Sequence, residues 1–310
     1  MFRNYAPSNK IGQGSFPLNI QTLDELQTTL NKNSGQGFLL HVPEEVYRIH
    51  PYVSQSELKL FASMTPAHFQ ASRQRPKKES DAMRLGTAIH TAVLEPLEFE
   101  NIYVCGPKVD MRTKKGKATW GEALEKANEE HRELLEPDLY YPPLLLRERV
   151  RKSPFFNSVL CDGITERSLF GHVGGVWCKG RMDYYKPETV EIIDLKSTLI
   201  AAPNIFEKDI RKYRYHWQAA FYIDLVKALS GQDASFKILA VEKTPPYGIS
   251  LQEIGFDLLA IARREIAQAQ RKLAHCIAEN DWPAYPEHVH THRAHEHEWK
   301  AFKLAIHARD

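Results

Sequence analysis

Between Ile164 and Leu195 the chain shifts from helical periodicity to short apolar runs of strand length. Three runs, Ile164–His172, Val176–Tyr185 and Val190–Leu195, are rich in β-branched and aromatic residues. A Gly174-Gly175 turn and a Pro187-Glu188-Thr189 turn join them. This pattern predicts three consecutive antiparallel strands. The meander limits the fold to one built around a sheet, and it also carries chemistry. Asp183 lies near the end of the second strand, and Asp194 and Lys196 lie at the end of the third. Residues two apart on a strand share a face, so Lys196 stands beside Asp194. Asp194 is embedded in Ile192-Ile193-Asp194-Leu195, where a carboxylate needs a partner. That partner is either a divalent metal shared with Asp183 or, structurally, Lys196 itself. Two acids holding a metal next to a lysine suit phosphodiester hydrolysis: the metal polarises the phosphate and generates hydroxide, and the lysine stabilises charge.

Helices surround the meander. Ser54-Gln55-Ser56-Glu57 is a capping-box pattern, followed by an apolar stripe of Leu58, Phe61 and Met64. Pro66 starts a second helix. Asp81–Leu94 is a third, with Leu85, Ala88, Ile89, Ala92 and Val93 on one face and Pro96 beyond its end. Ile102–Cys105 reads as a strand and Arg112–Lys117 as a basic loop. A charged helix from about Trp120 to Leu135 and another around Leu144–Val150 follow. After the meander come a helix over Tyr215–Leu229, a strand over Phe236–Glu242 with a partner in Tyr247–Glu253, and a long helix over Phe256–Ala278. This order predicts an α/β (α+β) fold, a mixed central sheet flanked by helices. Residues 1–50 read as a polar, loosely packed N-terminal extension with a short helix around Thr22–Leu30. Residues 51–285 form the main domain, and residues 286–310 a His-rich C-terminal segment.

Composition narrows the function classes. A net charge of +2 means that any polyanion-binding surface is local. No stretch has the roughly 20 apolar residues of a membrane helix, and the first residues lack a signal-peptide core. Cys105, Cys161, Cys178 and Cys276 are far apart with no close pair, which favours reduced structural thiols over a metal or iron–sulfur site. The expected setting is cytoplasmic.

Further elements complete an ordered set: Gly86-Thr87-Ala88-Ile89-His90, Lys179-Gly180-Arg181-Met182-Asp183, Asp194-Leu195-Lys196, and Tyr213-Arg214-Tyr215-His216-Trp217-Gln218-Ala219-Ala220-Phe221-Tyr222. Gln218 and Tyr222 are four apart, on one helix face. From Ser54 to Trp282 the chain resembles the PD-(D/E)xK nuclease superfamily, and within it the RecE-type exodeoxyribonuclease VIII branch of phage and prophage recombination exonucleases. Met182-Asp183 stands where the superfamily name has Pro-Asp, and only the acid can bind metal. The resemblance implies a restriction-endonuclease-like core. It implies that His90, Asp183, Asp194 and the Leu195 carbonyl are metal ligands, that Lys196 is the catalytic lysine, and that Gln218 and Tyr222 complete the site. It further implies Mg²⁺-dependent 5′→3′ degradation of double-stranded DNA from an end, leaving a 3′ overhang for a single-strand annealing protein. The implied assembly is a ring-shaped homo-oligomer, trimer or tetramer, in a bacterial host and of phage or prophage origin. His90 is a softer ligand than oxygen, so Mn²⁺ is expected to substitute for Mg²⁺. Two alternatives remain at this level: a RecB- or Cas4-like nuclease of other polarity or substrate, and a DNA-binding assembly subunit without turnover.

Other candidates are read with their structural counterparts beside them. His90 is a ligand or a hydrogen-bonded core histidine. Glu166 holds a second metal or a metal-bound water, or pairs with Arg167 or Arg181. Arg112, Lys114, Lys115 and Lys117 form a phosphate-contacting arm or a solvated loop. Arg211, Lys212 and Arg214, interleaved with Tyr213 and Tyr215, are a second candidate for DNA backbone contact, and Arg181 a further one. Ser54 and Ser56 hold a terminal 5′-phosphate at a helix start or simply cap it. His288, His290, His292, His295 and His297 read as a polar surface segment rather than a metal site.

Overall fold

In a computed structural model of the protein, residues 20–39, 42–74, 80–287, 289 and 291–300 are described. His288 and His290, Arg75–Lys78 and the first 19 residues lie outside them. In chain order the elements are α1 (Leu23–Lys32), β1 (Gly37–Leu39), α2 (Glu44–Ile49), β2 (Val53–Ser54), α3 (Gln55–Ser63), α4 (Pro66–Arg73), α5 (Asp81–Leu94), α6 (Phe99–Ile102), β3 (Tyr103–Cys105), α7 (Lys114–Glu129) and β4 (Glu133–Leu135). Then follow α8 (Pro137–Lys152), α9 (Pro154–Val159), β5 (Ile164–Val173), β6 (Val176–Lys186), β7 (Glu191–Thr198), α10 (Pro203–Lys212), α11 (Tyr215–Ser230), β8 (Ser235–Glu242), β9 (Ile249–Glu253) and α12 (Phe256–Glu279).

Seven strands make one mixed sheet in the order β1-β5-β6-β7-β8-β9, with β2 paired to β6 off that path. The β5–β6–β7 meander is antiparallel as expected; β7 and β8 are parallel, with α10 and α11 in the crossover between them. The sheet is covered on both faces. On one, Met182, Ile192, Ile238 and Ala240 pack with α3, α10, α11 and α12 through Phe61, Phe206, Phe221 and Ile266. On the other, Tyr184, Ile193, Leu195, Leu239 and Val241 meet Ile89 and Val93 of α5 and Leu146 and Val150 of α8. Asp194 and Lys196 alternate with Ile193 and Leu195. They therefore face the α11 side, where Gln218 waits.

Two expectations are corrected. The segment from Ile20 is packed, not loose: Ile20, Leu26 and Leu30 are fully buried with Phe170, and β1 pairs with β5. The basic loop is the first turn of a helix. Thr113 caps α7, its Oγ1 accepting the Gly116 amide at 2.9 Å and donating to the Asp110 carbonyl at 2.9 Å. A Cβ on Gly116 would fall 2.1 Å from that carbonyl, so the glycine that looks like a loop signal is there for close approach. α7 thus starts six residues earlier than expected and ends at Glu129, leaving Glu133–Leu135 to pair with β3.

Candidate active site

The site lies where β6 and β7 part. Their ladder runs from Lys186↔Glu191 to Tyr184↔Ile193 and stops there. The next positions along it are Asp183 and Asp194, the two acids. On the same edge of β6, β2 pairs only with Cys178 and Lys179. Residues 180–183 face the gap between β2 and β7, and side chains satisfy the backbone there. Asp183 Oδ2 accepts the Leu195 amide at 2.8 Å, and Tyr222 donates to the Arg181 carbonyl at 2.9 Å. Gly180 admits the Tyr222 ring, since a Cβ there would lie 2.7 Å from Tyr222 Cε1.

The expected residues converge. His90 Nδ1 of α5 lies 3.4 Å from Asp183 Oδ2, and Lys196 Nζ lies 2.5 Å from Asp194 Oδ2. Gln218 Nε2 donates to Asp194 Oδ1 at 2.6 Å. Glu166 stands opposite Asp183 in register, between the Thr165↔Tyr184 and Arg167↔Met182 pairs, with a left-handed φ of 49°. Its carboxylate lies 3.7 Å from Arg181 Nε.

Electrostatics follow from crowding acids in a buried place. Burial pushes Asp194 up to about 6 against the pull of Lys196. Asp183 is also raised, by burial first. Burial and then the Asp183 charge push Glu166 up to about 8. Burial and then Lys196 hold His90 down at about 4, so its imidazole is neutral at pH 7. Burial would lower Lys196, but Asp194 and Asp183 outweigh it and keep the ammonium charged. The carboxylate carries most of the pair's desolvation: Asp194 is 1% exposed and Lys196 19%.

Asp194 Oδ2 is the telling atom. It is buried, and its close neighbour is the Lys196 ammonium at 2.5 Å. A buried carboxylate oxygen whose partner is one mobile ammonium is a place a divalent cation could take if that ammonium turns to a phosphate. Among the described residues no three His, Cys, Asp or Glu side chains form a ready cage. A site of two carboxylates completed by a backbone carbonyl and water needs no such cage and matches the hard oxygen preference of Mg²⁺. The residues therefore fit that ion.

The expected DNA contacts divide. Arg181 is structural: Nη2 donates to the Val42 carbonyl at 2.6 Å, Nη1 meets Glu44 at 2.6 Å, Nε donates to Ser168 Oγ at 3.3 Å, and the guanidinium lies 4.5 Å from the Tyr47 ring centroid. Ser54 is absorbed by its capping box with Glu57, and Ser56 lies 3.1 Å from it. Lys114, Lys115 and Lys117 are exposed on the first turn of α7, and Arg112 pairs with Asp110 at 3.2 Å. Arg211 is exposed and pairs with Glu207. Arg214 leads into α11 beside Trp217. His292, His295 and His297 are exposed. Sequence reasoning missed Lys59 of α3. Its Nζ donates to the Tyr213 carbonyl at 3.1 Å beside the Tyr215 ring. A lysine on an amphipathic helix carries no signal of its own.

The family model for the PDDEXK-like domain of unknown function (DUF3799) matches residues 54–295. The chain belongs to this PDDEXK-like family. None of the curated proteins matches it. Among solved structures, the crystal structure of a "putative exonuclease" from Eubacterium rectale is similar, with a TM-score of 0.56 at 16% identity over 84% of this chain and 99% of that one. At that identity the likeness shows a common fold. SSO0001 aligns with a TM-score of 0.25 at 17% identity, over 71% of this chain and 85% of that one. VC1899 from Vibrio cholerae aligns at 0.22 and 10%, over 85% of this chain and 63% of that one. Asp183, Asp194 and Lys196 lie on the two strands that part, β6 and β7.

Proposed function

We propose that this protein is a metal-dependent exonuclease that degrades double-stranded DNA 5′→3′ from an end and leaves 3′ single-stranded overhangs for strand annealing. One observation carries the reading: a buried Asp194, a part-buried Asp183 and a charged lysine meet at a gap in the sheet, with the lysine 2.5 Å from Asp194 Oδ2. Asp183, Asp194 and the Leu195 carbonyl would hold Mg²⁺, with Mn²⁺ as a substitute, and the bound ion would supply Lewis acidity toward the phosphate and acidify a water. His90 stands beside Asp183 as a neutral donor to the same ion. Glu166, pushed up to about 8, holds its proton at pH 7, and once ionised would serve as an outer ligand through water.

The remaining work belongs to the chain. Gln218 fixes the Asp194 carboxylate in one rotamer by its 2.6 Å bond. Tyr222 ties α11 to β6 and keeps the gap at constant width. Lys196 keeps its proton and can swing from Asp194 to a phosphate oxygen, where its charge offsets the charge that builds in the transition state. The resemblance to RecE-type enzymes supports the end-dependent polarity, a ring-shaped trimer or tetramer, and an annealing protein as partner.

The test uses linear duplex labelled at 5′ or 3′ ends, incubated with Mg²⁺ or Mn²⁺. Loss of 5′ label as mononucleotide, with 3′ strands retained and closed circles intact, supports the proposal. Unaltered duplex with both ions refutes it.

A further inference from the structure

Lys59 stands beside the candidate active site and has no part in the chemistry above. Its Nζ donates to the Tyr213 carbonyl at 3.1 Å and lies 5.9 Å from the Tyr215 ring centroid. Lys196 Nζ approaches the same ring at 5.3 Å. One aromatic ring therefore serves two ammonium groups. Arg214 lies at the start of α11, its backbone in the left-handed region at φ 52° and its guanidinium 4.9 Å from the Trp217 ring centroid. The charges acting on Lys59 are Lys196, Asp194 and Arg214. Asp194 is already committed to Lys196 and Gln218. Three cations thus share a corner whose nearest acid is taken. Like charges in a partly desolvated place raise each other's free energy unless an anion joins them. Lys59, Arg214 and Lys196 are part-buried rather than sealed, so the corner keeps contact with solvent beside the proposed site.

We propose that Lys59 and Arg214 form a phosphate subsite beside Lys196, which holds the phosphodiester next to the one being cleaved, with Tyr215 as the wall that sets the spacing of the two lysines. The proposal rests on the nuclease reading and deepens it. Lys59 is a positioning residue here: it fixes the register of the strand on Lys196. The rival role is a tether, in which the bond to the Tyr213 carbonyl only holds α3 to the start of α11.

Salt dependence separates the two. Each phosphate neutralised by a cation releases counterions, so its loss lowers the slope of log K against log salt by about 0.9 on duplex DNA. A tether has no such signature. The measurement is binding of a short fluorescent blunt-ended duplex from about 50 to about 200 mM salt, with Ca²⁺ in place of Mg²⁺ to limit cleavage. Lys59→Met keeps the stem that packs beside Tyr215 and removes the charge. It is expected to lower the slope by about 0.9 and to weaken binding about tenfold at low salt. Lys59→Arg is expected to restore most of both. Arg214→Met provides the same test through the other cation if Lys59→Met does not fold. Superimposed slopes for wild type and Lys59→Met, or lost affinity that follows lost thermal stability and is not restored by arginine, overturn the subsite. Wild-type protein that cleaves DNA while Lys59→Met keeps the full slope removes the subsite alone. Wild-type protein that neither binds nor cleaves removes the nuclease reading and the subsite together.

Discussion

Replacing Gln218 by leucine isolates the one neutral donor on Asp194. The amide is buried and donates to Oδ1 at 2.6 Å, while Oδ2 meets the Lys196 ammonium at 2.5 Å. Leucine has similar volume and no donor. A hydrogen bond to a charged acceptor is worth about 1.5–3 kcal/mol, and 1.36 kcal/mol corresponds to about one pH unit. The bond favours the ionised form, so its loss raises the Asp194 carboxyl from about 6 by about 1–2 pH units. At pH 7 the carboxylate goes from about nine-tenths ionised to half or less. Metal binds the ionised form, so at sub-saturating Mg²⁺ the acid limb of the cleavage profile moves up by the same about 1–2 pH units. Activity at pH 7 falls about two- to tenfold or more and returns toward wild type near pH 9. In chelated protein the sign is the reverse of a salt-bridged acid. A carboxyl raised in the fold above its unfolded value lowers stability at high pH, and the deficit vanishes as pH falls through the folded and then the unfolded value. The melting difference between variant and wild type therefore shrinks on acidification. The assays are initial rates on linear duplex and thermal melts, both from pH 5.5 to 9. A loss independent of pH in both refutes the argument that Gln218 acts through Asp194.

Three further outcomes are expected. Lys196→Met loses at least about a hundredfold in cleavage rate; its chelated form melts lower at pH 8 than at pH 5.5, because Asp194 is left as an unpaired buried charge. Arg181→Met lowers stability by about 3 kcal/mol in urea melts, from the bare Val42 carbonyl and the lost buried hydrogen bonds, with half-exposed Glu44 contributing little. At a temperature where it is folded, that variant's DNA affinity stays within about twofold of wild type, as expected of a structural guanidinium. Replacing Lys114, Lys115 and Lys117 together by Gln lowers the salt slope of duplex binding by about 0.9 for each contact made and leaves the melting temperature unchanged, since all three are exposed.

The sequence made the centre of the sheet legible because its signals there agree with one another. Strand runs, turn residues and an acid embedded in apolar neighbours all point to β6 and β7, and α5 spans Asp81–Leu94 as expected. The grouping of His90, Asp183, Asp194, Lys196, Gln218 and Tyr222 was legible through the ordered motifs. The internal role of Arg181 was not legible, because its neighbours in sequence are candidate site residues while its partners Val42, Glu44 and Ser168 come from distant segments. Lys179 shows the same effect: its amine is buried and donates to the carbonyls of Tyr47, Arg48 and His50. α10 was missed because its polar, charged sequence has few apolar residues, of which Phe206 and Ile210 are buried. The start of α7 was missed because a capped lysine-rich turn containing glycine looks like a loop until the Asp110 carbonyl is placed beside Gly116.

The most direct measurement is the fate of end-labelled linear duplex with Mg²⁺, run beside a closed circle and beside Lys196→Ala. Release of 5′-labelled nucleotide from linear duplex by wild type alone, with the circle intact and 3′-ended strands left behind, is the predicted result. Intact linear duplex with both Mg²⁺ and Mn²⁺, or equal cleavage by Lys196→Ala, would contradict an acid–acid–lysine nuclease centre at the parting of β6 and β7.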